Sequence, residues 1–220
     1  MNPSGVVWCV GAPGYGKTWK AHRLLLEANA ATGRASLVLD AAGDLSWPGF
    51  RRTSSIAEAI VRVFDLGQHV ILNVATAHAR DVERVFAAIL AVGDVNVLVD
   101  ESAYWINARR GTSSALLRLF RAHRHAQVWL FLTTQHFSGD VPQEALSCEP
   151  DVYVFRCIAP AVLERLETQY GIERARVSGL AVGEFVLIAT RGPAKIPSSP
   201  SSAPPTDRSP QHAPARGDRR

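Results

Sequence analysis

Short blocks of consecutive apolar residues recur along the chain, and each is followed by a segment whose apolar residues fall at helical spacing. Val6 to Val10, Ser36 to Asp40, His69 to Val74, Val95 to Val99, Val128 to Leu132, Val152 to Ile158 and Glu184 to Ile188 read as strands. They are apolar throughout rather than alternating, which is the pattern of strands covered on both faces. Between them, a helix is predicted from Trp19 to Ala30, closed by Gly33. The capping box Ser55-Ile56-Ala57-Glu58 opens a second helix, with Ile56, Ile60 and Val63 on one face until Gly67. Val82, Val85, Phe86 and Ile89 fall at i, i+3, i+4 and i+7 on a third, opened by Asp81 and closed near Gly93. Further helices are expected from about Ser113 to His125 and from Ala161 to Thr168. Strands alternating with helices give an α/β fold: a mostly parallel central sheet with helices on both faces.

Composition narrows this picture. A chain of 220 residues, 47% of them hydrophobic, can bury one good core, so a single domain is expected. No window reaches the 18 or so continuous apolar residues of a membrane span, and Met1 to Gly5 lacks the basic start of a secretory signal, which predicts a soluble cytoplasmic protein with no transmembrane segment of its own. Cys9, Cys148 and Cys157 are isolated from one another and read as small buried hydrophobes in a reducing compartment. The net charge of +4 sits wholly beyond residue 190, where six basic residues meet two acidic ones, so overall charge says little about a nucleic-acid surface on the folded part. That last segment, 191–220, is rich in Pro, Ser and Ala and has almost nothing to bury, so it is expected to be a disordered tail behind a domain spanning 1–190.

Candidate chemistry gathers at three strand ends. Gly11-Ala12-Pro13-Gly14-Tyr15-Gly16-Lys17-Thr18 fits the phosphate-loop pattern, with a strand before it and a helix after it. Gly11, Gly14, Tyr15 and Gly16 would turn backbone N–H groups toward the phosphates, Lys17 would reach the outer phosphates, and Thr18 would offer its hydroxyl to Mg2+. Asp100 has the place of a magnesium-binding aspartate at a strand end, and Glu101 that of the base for an attacking water. Asp40 also ends a strand, but no glutamate follows it, so it is the weaker candidate. Gln135 would sense the γ-phosphate from the end of a further strand. All C-terminal strand ends of a parallel sheet lie along one edge, so the three groups can converge on one ATP. Arg118, Arg121, Arg124 and His125 form a basic helix face, from which Arg124 first and Arg121 second could neutralise transition-state charge, supplied by a neighbouring subunit. No arginine lies within the loop or beside Asp100 and Glu101 in sequence, which favours such a neighbour. Tyr104 to Gly111 mixes aromatics with Arg109 and Arg110, as either a backbone contact to single strands or a packed turn.

Gly11 to Thr18, Val95 to Glu101, Arg124-His125 and Thr134-Gln135 together resemble the FtsK/HerA superfamily of DNA-pumping P-loop ATPases. The small size is most similar to the genome-packaging ATPases of tailless, membrane-containing viruses, over roughly residues 5 to 190. The resemblance implies a RecA-like P-loop NTPase core of the ASCE type, with Glu101 as the added catalytic glutamate, and a ring of identical subunits, expected to be a hexamer. It implies an arginine finger near the start of the strand that ends in Gln135, which sets Arg124 above Arg118. Implied partners are double-stranded DNA and capsid or membrane-associated packaging proteins, with action in the host cytoplasm or at a virion vertex. A conjugation, secretion or phage-assembly ATPase would share every residue named. A small-molecule or nucleotide kinase fits the loop but has less use for Glu101, and no guanine-reading motif of a GTPase is present.

Overall fold

The computed structural model describes residues 5–106, 113–135, 137, 141, 145 and 147–189. The expected tail and the Arg109-Arg110 part of the aromatic loop lie outside these residues. In chain order the elements are β1 (Gly5–Val10), α1 (Lys17–Thr32), β2 (Ser36–Asp40), β3 (Arg51–Thr53), α2 (Ile56–Ile60), β4 (Val70–Asn73), α3 (Ala79–Val92), β5 (Asn96–Val99), α4 (Ser114–Ala122), β6 (Trp129–Thr134), β7 (Asp151–Val154), α5 (Pro160–Tyr170), α6 (Arg174–Ser178) and β8 (Val186–Ile188). They build one eight-stranded sheet in the order β3-β4-β2-β5-β6-β1-β7-β8. All pairings are parallel except β7 with β8, where Val154 faces Val186.

Both faces of the sheet are covered, as the unbroken apolar strands require. Val7, Cys9, Val38, Ile71, Leu98 and Phe131 point to one side, where Ala21, Leu25 and Ala28 of α1 pack on them. Trp8, Val10, Leu39, Val97 and Leu130 point to the other, under α2 to α6. Burying side chains the size of Leu25 or Phe131 contributes about 1.5–3 kcal/mol each, which holds α1, and with it the glycine loop at its start, rigidly against the sheet. The sequence expectation did not include β3 or α6. Strand β3 carries two exposed arginines and no apolar residue; edge position and backbone pairing to β4, not a hydrophobic pattern, make it a strand. The basic helix is also shorter than expected. It ends at Ala122, because the Val128 N–H donates back to the His123 carbonyl (2.8 Å) around a left-handed Gln127, so Arg124 and His125 sit in the following turn.

The topology settles which strand ends are neighbours. Strand β6 lies between β5 and β1, with Thr134 opposite Val10 and Leu132 opposite Val99. Gly11, Asp100 and Gln135 therefore leave the sheet side by side along one edge.

Candidate active site

The glycine loop is fastened to both neighbouring strands. Gly11 N–H donates to Thr134 O (3.2 Å) and Ala12 N–H to Arg156 O (2.8 Å), just past the end of β7. A Cβ on Gly11 would stand 2.8 Å from Cβ of Phe155, so only glycine lets the chain pass so close. At the far end Gly16 is left-handed (φ 96°) and starts α1 with no side-chain cap and no acidic residue in the first turn. The first N–H groups of α1 are thus left for an anion, and the helix dipole favours one there. Lys17 is 5% exposed, and its Nζ donates to Ala12 O across the loop (3.0 Å). Burial pulls its pKa down, opposed by the carboxylates of Glu101 and Asp100.

The carboxylates come from the neighbouring strand ends. Asp100, also 5% exposed, accepts at Oδ1 from Thr18 Oγ1 (2.9 Å) and from Thr133 Oγ1 (2.8 Å). Thr133 in turn accepts from the Glu101 N–H (2.8 Å), and its carbonyl accepts from Ser102 Oγ (2.9 Å). Glu101 is left-handed (φ 45°, ψ 54°), and its Oε1 accepts from Gln135 Nε2 (2.8 Å). So the structure brings Lys17, Thr18, Asp100, Glu101 and Gln135 together at one edge of the sheet. Thr133 and Ser102 were not expected; the signal for Thr133 is that two threonines end an otherwise apolar strand. Asp40 is buried and used differently, accepting from the N–H groups of Gly43 (2.7 Å) and Leu45 (2.9 Å) to shape the loop after β2.

Oxygen donors suited to magnesium are a carboxylate and a hydroxyl, Asp100 and Thr18, already paired with each other. Among the described residues no group of three or more His, Cys, Asp or Glu could hold a metal alone. This fits Mg2+, which is held by one or two protein oxygens with phosphates and water completing the shell. Burial pushes the Asp100 carboxyl above its ordinary pKa, while the hydrogen bonds from Thr133 and Thr18 pull it back. A carboxyl raised on folding favours the folded state most below its unfolded pKa and loses that contribution as pH rises through the folded value. Wherever it is ionised, Asp100 is therefore a burden on the ligand-free protein. Asp100→Asn is expected to raise the melting temperature at pH 7, with a gap from wild type that closes on acidification. An unchanged or lower melting temperature at pH 7 would show that the two threonine hydrogen bonds outweigh the burial.

The candidate finger lies at the other end of the sheet. Arg124 precedes β6 in the turn 123–127, and the length of β6 separates that turn from Gln135, about 20 Å at 3.3 Å per residue. Its side chain is 54% exposed and 3.6 Å from the Glu149 carboxylate. Arg121, in the last turn of α4, and Arg118 are exposed on the same side of the molecule. Structure brings a different arginine to the loop: Arg156 donates from Nη1 to Tyr15 Oη (2.8 Å), with its guanidinium carbon 5.3 Å from the ring centroid. Nothing in the sequence marked it, because the contact spans 141 positions.

A strand, glycine loop and uncapped helix, with an acidic pair two strands away and a polar strand end between, define a P-loop NTPase fold of the α/β class. Within that class the particular likeness is to genome-packaging NTPases. The B204 genome-packaging NTPase of Sulfolobus turreted icosahedral virus 2, solved with ATP-gammaS, superposes with a TM-score of 0.69 at 19% identity, covering 87% of this chain and 94% of that one. B204 of Sulfolobus turreted icosahedral virus, a DNA-packaging ATPase, gives 0.67 at 19%, over 86% and 94%. The pCW3 conjugation coupling protein TcpA, with ATPgS, gives 0.54 at 14%, over 84% and 60%. No family model and no curated protein matches the chain.

Proposed function

We propose that this protein is a magnesium-dependent ATPase that moves double-stranded DNA, as one subunit of a viral genome-packaging motor. The observation that carries the reading is the continuous hydrogen-bonded path from Thr18 through Asp100 and Thr133 to Glu101 and Gln135 at the edge where the glycine loop opens. Lys17 neutralises the outer phosphates of ATP. Asp100 and Thr18 would hold Mg2+, which when bound neutralises charge on the β- and γ-phosphates. Glu101 takes the proton of the attacking water. Gln135 donates to Glu101, and the same amide can donate to a γ-phosphate oxygen instead; that exchange would turn the Glu101 carboxylate toward water. A kinase would have less use for this pair, since its acceptor is not water. Arg124, with Arg121 as second candidate, cannot reach the loop of its own subunit across the height of the sheet. It would complete the site of a neighbour in a homo-oligomeric ring, a hexamer by resemblance. The closer superposition on the packaging NTPase, at a TM-score of 0.69 against 0.54 for the conjugation coupling protein, favours packaging over conjugation. Capsid or membrane-associated packaging proteins and the host cytoplasm follow from the same reading.

Duplex DNA is expected to stimulate ATP hydrolysis at low salt. A motor touching 6–10 phosphates should lose about 10³- to 10⁵-fold in DNA affinity between 50 and 200 mM salt, and the stimulation with it. Steady-state phosphate release measured with and without duplex across that range is the test. DNA-independent turnover at low salt, together with phosphate transfer to an added acceptor, would replace the motor reading with the kinase one.

A further inference from the structure

Among the described residues, four other than glycine hold a left-handed backbone: Glu101 (φ 45°), Asp94 (φ 51°), Gln127 (φ 55°) and Glu149 (φ 55°). Such conformations cost free energy in any residue with a Cβ, and they persist only where the surroundings over-determine them, often at functional sites. Glu101 is the candidate base. The other three surround Arg124 at the opposite pole: Gln127 closes its turn, Glu149 is its ion-pair partner, and Asp94 lies alongside.

One side chain ties two of the three together. Arg34, just before β2 and with a side chain only 8% exposed, donates from Nε to Asp94 Oδ1 (2.5 Å) and from Nη2 to Gln127 Oε1 (2.9 Å). Asp94 N–H donates to Ala126 O (2.8 Å) inside the same turn, and Gln127 N–H to Arg124 O (3.3 Å). The approach is close enough that a Cβ on Gly93 would stand 2.4 Å from Ala126 O. A non-glycine residue at the left-handed position 127 is not the most stable choice for this turn. Glycine would relieve the strain at Gln127, and the Asp94 carboxylate is exposed enough for solvent to screen its ion pair. We infer that Arg34 is a positioning residue for Arg124: its guanidinium fork fixes the 123–127 turn against the starts of β2 and β5, so that Arg124 is presented at a set height and angle to the neighbouring subunit. The inference rests on the reading of Arg124 as a finger supplied in trans.

Two variants test it in the full-length chain. Arg34→Ala removes the fork. Gln127→Gly removes its anchor on the turn while relieving the strained backbone, so it is expected to melt no lower than wild type. Both are expected to bind ATP normally and to turn over about 10²-fold more slowly, the usual scale for a displacement near 1 Å in a reacting group. Mixing either with Glu101→Gln should restore part of the activity, because the Arg34 or Gln127 variant still brings an intact Glu101 and its partner an intact Arg124. Mixing either with Arg124→Ala should restore nothing, since both lack a well-placed finger. Wild-type turnover in Gln127→Gly, or losses that Glu101→Gln does not repair, would overturn the role of Arg34 while leaving Arg124 in place. Failure of the Arg124→Ala and Glu101→Gln mixture would overturn the finger itself, and this inference with it.

Discussion

Glu101→Gln is expected to bind ATP with wild-type affinity and to hydrolyse it about 10²- to 10⁴-fold more slowly, the usual contribution of a positioned general base. The substitution isolates the charge. Glutamine has the shape of glutamate and the same tolerance for the left-handed backbone, and its amide oxygen can still accept from Gln135, which now donates to Oε1 at 2.8 Å. What is lost is the ability to take a proton from water. Lys17→Ala should differ in kind, weakening ATP binding itself, because Lys17 faces the loop and not the water side of the site. Equilibrium binding of ATP followed by a single turnover separates the two. Unimpaired single-turnover hydrolysis in Glu101→Gln would remove Glu101 from the mechanism.

How far these residues could be read from sequence depends on how local their signal is. The loop from Gly11 to Thr18 was legible because all of its parts are contiguous, and Asp100-Glu101 because a buried strand seldom ends in two acids without use for them. Helix α3 was legible through its i, i+3, i+4 and i+7 apolar face. The adjacency of β5, β6 and β1 was not, since order within a sheet is decided by packing between residues tens of positions apart. The same holds for Thr133, whose partners Asp100 and Glu101 are more than thirty positions away, and for Arg156 on Tyr15. Strand β8 gives the case of a correct element with an unforeseen direction: its apolar run says strand, but only the turn before it sets it antiparallel to β7. The end of α4 was misjudged by three residues, because Gln127 fills a left-handed position that glycine usually marks. The anchors that permit it, Arg34 and Asp94, come from distant parts of the chain.

Arg124→Ala is expected to keep ATP affinity and lose roughly 10³- to 10⁵-fold in turnover, the range for removing a finger in phosphoryl transfer. The geometry excludes action in cis: Arg124 and Gln135 lie at opposite ends of β6, and no rotamer of an arginine spans that height. A loss of this size can then only come from an assembled ring in which the lower pole of one subunit meets the glycine-loop edge of the next. That makes the variants complementary. Arg124→Ala supplies Glu101 but no finger, and Glu101→Gln supplies a finger but no base, so each is inactive alone for a different reason. In a mixed ring some interfaces pair the intact Glu101 of one subunit with the intact Arg124 of the other, and activity should reappear, greatest near equal proportions. Arg156 gives the competing account, since it already stands against the loop in cis. If it supplied the neutralising charge, Arg124→Ala would retain activity, Arg156→Ala would not, and mixing Arg156→Ala with Glu101→Gln would recover none. Measuring phosphate release over the full range of mixing ratios, with the Arg156→Ala mixture as the parallel series, decides between an interface supplied by Arg124 and a site completed within one subunit.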